Sequence, residues 1–225
     1  MIEAVIFDLD GVILETEELW NEVRKGLALE RGGRWSDSAQ ADMMGMSSTE
    51  WSRYMHDVVG VPDPPEEINR EVVRRMAERY AEQLPLIEGA VEAVKRLAAR
   101  WALGLASSSN RRLIDRALDL SGLAPFFRVT VSSEEVERGK PAPDVYLEAA
   151  QRLRVEPERC AAIEDSASGI RSAHAAGMLV VAIPNRAFPP PAEALELAAV
   201  VLESVEELEP ETPTEAARLS TASTD

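Results

Sequence analysis

Two carboxylates follow the first apolar run of the chain and are the residues best placed to do chemistry. The run Ala4–Phe7 leads directly into Asp8, Leu9 and Asp10. On an extended chain, residues two apart point the same way, so Asp8 and Asp10 would lie ~6–7 Å apart on one side. An apolar run of this length is typical of a strand buried in a parallel sheet, and such sheets bind ligands at the carboxyl ends of their strands. Two neighbouring carboxylates repel each other, so the pair indicates a cation, a shared proton, or both.

Polar groups of other types come after later apolar runs or before helices. In a doubly wound parallel sheet the carboxyl ends of the strands converge on one crevice. We therefore expect these groups to gather around Asp8 and Asp10. They are Ser107 and Ser108 after one apolar run, Lys140 in the loop before a predicted helix, and Glu164 and Asp165 after another apolar run.

Each of these segments also has an ordinary structural interpretation. An aspartate after a strand is common in turns, a serine before a helix is usually a cap, and paired acids favour a helix N-terminus. A single lysine such as Lys140 is solvated in most proteins. We favour function for the set, because four such coincidences at successive positions are less expected than one shared site. The chain has only three lysines, and one of them is Lys140.

The acids of the set offer the hard oxygen ligands that Mg²⁺ prefers. We predict a metal site at Asp8, Asp10 and Asp165, completed by a main-chain carbonyl, with Glu164 holding a metal-bound water. The cation would keep Asp8 ionised, so that Asp8 could attack phosphorus and form an aspartyl-phosphate. Asp10 would protonate the leaving alcohol and then activate water. The predicted reaction is therefore phosphoryl transfer with Mg²⁺ as cofactor.

The remaining polar groups of the set suit the phosphate itself. Ser107, Ser108 and the N–H groups at a helix start would bind phosphate oxygens. Lys140 would offset the negative charge of the phosphate and hold Asp8 in place. We therefore assign Lys140 both to phosphate binding and to catalysis.

The elements that must position these residues alternate between helix and strand from Pro85 onward. That alternation predicts an α/β fold with a Rossmann-like, doubly wound parallel sheet. Only helical periodicity appears before it, for about 70 residues after the first strand, which predicts an inserted all-helical cap. The end of the chain has few large apolar residues, so we expect it not to pack. The predicted division is a catalytic core at 1–14 and 86–210, a cap domain at 15–85, and a disordered acidic tail at 211–225.

Charge and composition narrow the partners. The net charge of -16 argues against nucleic acid and anionic membrane. Cys160 is the only cysteine, so no internal disulfide is possible. The chain shows neither a basic N-terminal segment before an apolar stretch nor an apolar run of about 18 residues. We expect a cytoplasmic enzyme with a small-molecule phosphate ester as its partner, and a monomer or a weak homodimer.

Four stretches resemble motifs of the haloacid dehalogenase-like superfamily, and within it of the β-phosphoglucomutase-like branch. The resemblance implies a Rossmann-like core with an inserted helical cap, Mg²⁺, an Asp8 nucleophile and an Asp10 acid/base, in agreement with the roles inferred above. The stretches are FDLDGVILETE (7–17), GLASSSN (104–110), GKPAPDVY (139–146) and IEDSASGIRSAHAAGM (163–178).

Departures from that branch bear on the activity. The β-phosphoglucomutases carry a histidine in the first cap helix where this chain has Trp20, and an arginine near Ser48. The resemblance therefore favours hydrolysis of sugar or sugar-alcohol phosphates, with a phosphosugar mutase as the alternative. A receiver-like protein that binds phosphate without catalysis is less favoured, because receivers have no helical insertion and carry their acceptor aspartate on a later strand.

Substrate choice is expected to lie in the cap. We predict that Trp20 and the loop residues Gly45, Met46 and Ser47 face the organic group of the substrate. The alternative, that Trp20 only packs cap helices, is equally open. For Trp35 and Trp51, packing is the favoured interpretation.

Overall fold

A six-stranded, all-parallel sheet forms the centre of the molecule in a computed structural model, which describes residues 1–186 and 188–222. The strand order is β3-β2-β1-β4-β5-β6, so the first strand lies in the middle. The strands are β1 (Ala4–Phe7), β2 (Ala102–Ser107), β3 (Phe127–Ser132), β4 (Cys160–Glu164), β5 (Leu179–Ala182) and β6 (Val200–Val201).

Strand β1 is buried on both faces, as its unbroken apolar sequence predicts. Val5 and Phe7 contribute to one hydrophobic core, and Ala4 and Ile6 contribute to a second core on the opposite face of the sheet. Successive side chains of a strand alternate between faces, so an all-apolar strand needs a core on each side. The predicted fold class, a Rossmann-like sheet with a helical cap, is confirmed.

Residues 15–84, all of which the structure describes, contain helices and no strand. Helix α4 shows why the sequence folds this way: Pro65 occupies its first turn, and Ile68, Val72, Met76 and Tyr80 form its buried stripe. The exact boundaries of a separate cap domain stay a prediction. The helices of this region are α1 (Glu17–Glu30), α2 (Ala39–Met43), α3 (Ser48–Asp57) and α4 (Pro65–Glu82).

The helices of the core connect its parallel strands. Short helix α9 and strand β6 were not expected from the sequence, because each is too short to show a periodic pattern. The core helices are α5 (Ala90–Ala98), α6 (Arg111–Ser121), α7 (Asp144–Leu153), α8 (Ala167–Ala175), α9 (Ala192–Leu195) and α10 (Thr212–Ala222).

Helix α10 lies in the segment that we expected not to pack, and that prediction is wrong for the described part of it. Ala216 is buried, and α10 packs beside β5. The indole nitrogen of Trp101 donates to the carbonyl of Pro210 at 2.9 Å, and Arg100 pairs with Glu211 at 2.7 Å. A helix whose inner face is alanine needs little apolar bulk to pack, which the composition of this segment concealed. Residues 223–225 lie outside the described residues.

The register of the sheet brings three strand ends level. Phe7 of β1 lies beside Leu105 of β2 on one side and Ile163 of β4 on the other. The residues that follow these positions therefore meet at one edge of the sheet. Within the described part of the chain, no helix combines the length and the apolar character that crossing a membrane requires.

Candidate active site

A cavity of about 470 Å³ opens at this edge of the sheet, between the core and the cap helices. The sheet side of the cavity carries Asp8, Asp10, Ser108, Lys140 and Asp165. Four of these five residues follow the strand ends that the register brings level, and Lys140 arrives on the loop before α7. The structure therefore places most of the predicted site residues around one space.

Asp8 lies at the base of the cavity and is almost fully buried. Its Oδ1 accepts a hydrogen bond from the Leu9 N–H at 2.8 Å and lies 3.0 Å from the Lys140 Nζ. Burial is the main cause that raises the pKa of Asp8 to about 8; Lys140 opposes this rise, and the charges of Glu164 and Asp10 add to it. The carboxyl group therefore needs an additional positive charge to ionise fully at neutral pH.

The acids of this site outnumber its cations. Asp8, Glu164 and Asp165 offer carboxylate oxygens that all lie within 4.8 Å of one another, and all three are buried. Burial and the neighbouring Glu164 and Asp8 also raise the pKa of Asp165 well above its ordinary value. Lys140 alone cannot balance these charges and that of Asp10. An all-oxygen, acid-rich donor set fits Mg²⁺, which would hold the acids ionised and neutralise phosphate charge when bound.

Glu164 is locked in place by its neighbours. Its Oε1 accepts from the Lys140 Nζ at 2.6 Å and from the Tyr146 hydroxyl at 2.7 Å, and its Oε2 accepts from the Asp165 N–H at 3.1 Å. Glu164 thus fixes the ammonium group that contacts Asp8. We predicted that Glu164 would act from outside the metal's ligand set; the structure shows its carboxylate close enough to Asp8 and Asp165 to share an ion with them.

Gly169 makes room for this arrangement. A Cβ at residue 169 would lie 1.8 Å from the Glu164 Oε1, and one at Gly11 would lie 1.9 Å from the Asp165 Oδ2. Either carboxylate would have to leave its position if a side chain were added. The lack of a side chain at these two glycines therefore leaves the space that the Glu164 and Asp165 carboxylates occupy.

Replacing Gly169 by alanine is expected to lower turnover by about 10²-fold, because displaced Glu164 would release Lys140 and shift Asp8. The measurement is kcat during a Mg²⁺ titration. Gly26→Ala is the matched control, since a Cβ there meets nothing within 4 Å and α1 should gain about 1 kcal/mol from the better helix former. A Gly169→Ala enzyme as fast as Gly26→Ala would contradict the importance of this packing.

Asp10 has its own pair of donors. The Thr16 hydroxyl donates to its Oδ1 at 2.6 Å and the Ser109 hydroxyl donates to its Oδ2 at 2.6 Å. We predicted Asp10 as part of the metal site, but the three acids close enough to share an ion, among the described residues, do not include it. Its carboxylate is instead held at the cavity wall, where it could exchange protons with a substrate.

The two serines after β2 differ in what they contact. Ser108 lines the cavity, and its buried Oγ has no hydrogen-bond partner among the described residues, so it is free to donate to a phosphate oxygen. Ser107 is fully buried, and its Oγ accepts from the Ser109 N–H at 3.0 Å. The structure therefore places the Ser107 side chain outside the described cavity lining, and its predicted phosphate contact stays a prediction. Neighbouring residues at a strand end point in opposite directions, and Ser107 points into the turn.

Of the four predicted cap residues, three line the cavity and one does not. Trp20, Gly45 and Met46 line the cavity. Ser47 does not, because its hydroxyl caps α3 by accepting from the Glu50 N–H at 3.4 Å in a capping box. Ser47 thus lies outside the described cavity lining, its capping role explains the residue type, and its contact with the substrate stays a prediction.

The cap also contributes cavity residues that the sequence analysis missed. Arg24 belongs to the buried stripe of α1, between Trp20 and Leu27, and an arginine on an apolar stripe was a signal that could have been noticed. Trp51 lines the cavity although packing was the favoured interpretation for it. The missed residues on the cavity wall include Glu17, Arg24, Trp51, Arg171 and Phe188.

Comparison with known proteins decides the family. The family model described as haloacid dehalogenase-like hydrolase matches residues 2–177. The chain belongs to the haloacid dehalogenase-like hydrolases. The resemblance seen in the four sequence stretches is thereby confirmed, and this hydrolase is an enzyme.

Named relatives of the hydrolase include two phosphatases. It is 33% identical over 180 residues to the phosphorylated carbohydrates phosphatase of Thermotoga maritima, covering 79% of this chain and 82% of the relative. It is 32% identical over 203 residues to hexitol phosphatase B of Escherichia coli, covering 81% and 84%. A solved structure, β-phosphoglucomutase of Clostridium difficile, superposes with a TM-score of 0.81 at 25% identity, covering 99% of this chain and 100% of the other.

Proposed function

We propose that this hydrolase is a Mg²⁺-dependent phosphatase of small phosphate monoesters, with sugar and sugar-alcohol phosphates as its substrates. The observation that carries the proposal is the buried Asp8 carboxylate, 3.0 Å from the Lys140 ammonium and within an acidic group that fits a divalent cation. A nucleophile, a cation and a metal site at one cavity are what phosphoryl transfer requires.

The proposed reaction runs in two displacements at phosphorus. A carboxylate oxygen of Asp8 forms a bond to phosphorus while the ester P–O bond breaks, and Asp10 gives its proton to the departing alkoxide. Asp10 then takes a proton from a water molecule, whose oxygen attacks phosphorus and releases Asp8 and inorganic phosphate. Thr16 and Ser109 keep Asp10 oriented in both steps, because each hydroxyl donates to one of its oxygens.

Substrate phosphate would be held by Ser108 and Lys140. The unpartnered Oγ of Ser108 would donate to a phosphate oxygen, and the Lys140 ammonium would reduce the repulsion between that phosphate and Asp8. The same ammonium is fixed by Glu164, so it needs no reorganisation when the ester binds. Mg²⁺ held at Asp8, Glu164 and Asp165 would supply the remaining positive charge.

The substrate class rests on the relatives and on the cap. Two relatives are named for phosphorylated carbohydrates and for hexitol phosphate, and this chain covers more than four-fifths of each. One observation supports the alternative, a phosphosugar mutase: the structural likeness to β-phosphoglucomutase covers 99% of this chain. Trp20 argues against the mutase, because it stands on the cavity wall in the first cap helix and carries no group that titrates near neutral pH.

The test is a phosphate-release assay on hexose phosphates, hexitol phosphates, nucleoside 5′-monophosphates and phosphoglycolate, with Mg²⁺ and with Asp8→Asn enzyme as the blank. We expect the highest kcat/KM on hexose or hexitol phosphates. Activity confined to nucleotides or phosphoglycolate would contradict the substrate class. Isomerised sugar phosphate without free phosphate would identify a mutase instead.

A further inference from the structure

A polar group stands in the cap wall of the cavity, buried at two of its three residues and half-buried at the third. It consists of Glu17 and Arg24 on α1 and Gln40 on α2, and Glu17 and Arg24 line the cavity. The Arg24 residue is 5% exposed, which is unusual for a charged side chain. The proposed catalytic steps use none of these three residues.

Two tryptophan rings fix the guanidinium of Arg24. Its central carbon lies 4.4 Å from the centre of the Trp20 ring and 4.8 Å from the centre of the Trp51 ring, and the two ring centres are 6.0 Å apart. Contact with two aromatic faces stabilises the cation and restricts its rotation. The edges of the planar guanidinium, which carry its N–H donors, are then the part available for hydrogen bonds.

The N–H donors of Arg24 make few hydrogen bonds within the described part of the protein. Among the described residues, the Arg24 Nε has no partner, no carboxylate lies within ion-pair distance, and the Nη1 reaches the Gln40 Oε1 only at 3.5 Å. Gln40 in turn donates to the Glu17 carboxylate at 2.9 Å. Leaving a buried charged donor unpaired is costly, so the arrangement favours a ligand that supplies acceptors in the cavity.

We propose that Arg24 and Glu17 are specificity-determining residues that bind the hydroxyl groups of the substrate at the end distant from its phosphate. This inference rests on the proposed function and refines it. A sugar or polyol hydroxyl both donates and accepts, so it matches a neighbouring guanidinium donor and carboxylate acceptor. A second anionic group on the substrate fits less well, because the negative charges of Glu17 and Asp10 both act on this part of the cavity.

The test compares substrates with and without distal hydroxyl groups in Arg24→Gln. For a hexose or hexitol phosphate we expect kcat/KM to fall roughly 10- to 100-fold, the effect of losing a charged hydrogen bond. For acetyl phosphate, which has no hydroxyl group, we expect little change from wild type. Lys25→Gln is the matched control, since it removes an exposed cation from the same helix and should leave both substrates unaffected.

Second variants keep the test decisive if Arg24→Gln folds poorly. Arg24→Lys keeps the charge but loses the planar pair of donors, and Glu17→Gln removes the acceptor charge; each should lower the ratio of sugar-phosphate to acetyl-phosphate kcat/KM. Equal losses on both substrates, or a loss confined to the carboxylate-bearing ester phosphoglycolate, would overturn the proposal. Wild-type enzyme that hydrolyses no sugar phosphate would instead refute the proposed function itself.

Discussion

Replacing Asp8 by asparagine is expected to lower turnover by at least about 10³-fold while the protein stays folded. The amide of asparagine is a poor nucleophile and cannot form the acyl phosphate. Without metal, the variant should be at least as stable as wild type, because burial and the charges of Glu164 and Asp10 disfavour an ionised group at this position and asparagine carries none. Lys140 would keep its hydrogen bond to Glu164 at 2.6 Å. The Asp8→Asn substitution is thus predicted to remove activity while leaving stability intact.

The measurement pairs phosphate release with thermal unfolding in chelator. Asp119→Asn is the control, because it removes one carboxylate charge from the exposed surface of α6. Control enzyme should match wild type in both assays. An Asp8→Asn enzyme within tenfold of wild-type activity would remove Asp8 from the role of nucleophile.

Removal of divalent metal is the second change with a large expected effect. Chelator should abolish activity and added Mg²⁺ should restore it, because the acids of the site and the phosphate ester cannot share one cavity without further positive charge. The apparent affinity for Mg²⁺ should rise with pH until about pH 8, since burial raises the pKa of Asp8 to about 8 and the metal must displace that proton. The expected slope is up to about tenfold per pH unit for each proton displaced.

The same pKa shift sets the direction of stability in the metal-free protein. Asp8 has a folded pKa of about 8, above its ordinary value of 3.8. Between these values the unfolded chain has lost a proton that the folded protein keeps, so stability falls as pH rises through that window. Near the upper end of this pH window, added Mg²⁺ should reverse the loss of stability.

Calorimetric titration with Mg²⁺ at pH 6, 7 and 8 measures how strongly protons compete with Mg²⁺ for Asp8. The change in Mg²⁺ affinity per pH unit should be smaller in Asp8→Asn, where the displaced proton is absent, and unchanged in Asp119→Asn. Hydrolysis that resists chelator, or a Mg²⁺ affinity that does not depend on pH, would contradict the assignment of the acidic group.

Periodic and compositional patterns were enough to predict the sheet, the helical insertion and the residues at the strand ends. Those features depend on the alternation of apolar runs, which the chain shows over most of its length. The direction of individual side chains was harder to predict. Ser107 and Ser108 are chemically identical, and only the turn after β2 decides that Ser108 faces the cavity and Ser107 does not.

Long-range packing accounts for the other differences. Arg24 becomes notable only when Trp20 and Trp51, far apart in sequence, are seen to enclose its guanidinium. Ser47 is the N-cap residue of helix α3. The only local sign of this role in the sequence is Glu50, three residues later. The residues just before helix α10 are held by Trp101 and Arg100, which are distant in sequence.

The most direct measurement of the central claim is a search for phosphate on the enzyme during turnover. Acid-quenched reaction with a sugar phosphate, followed by borohydride reduction and peptide mass spectrometry, converts an aspartyl-phosphate to homoserine at the residue that carried it. We expect homoserine at position 8, in amounts that depend on substrate and Mg²⁺. Homoserine at another aspartate, or none during active turnover, would show that Asp8 does not take the phosphoryl group.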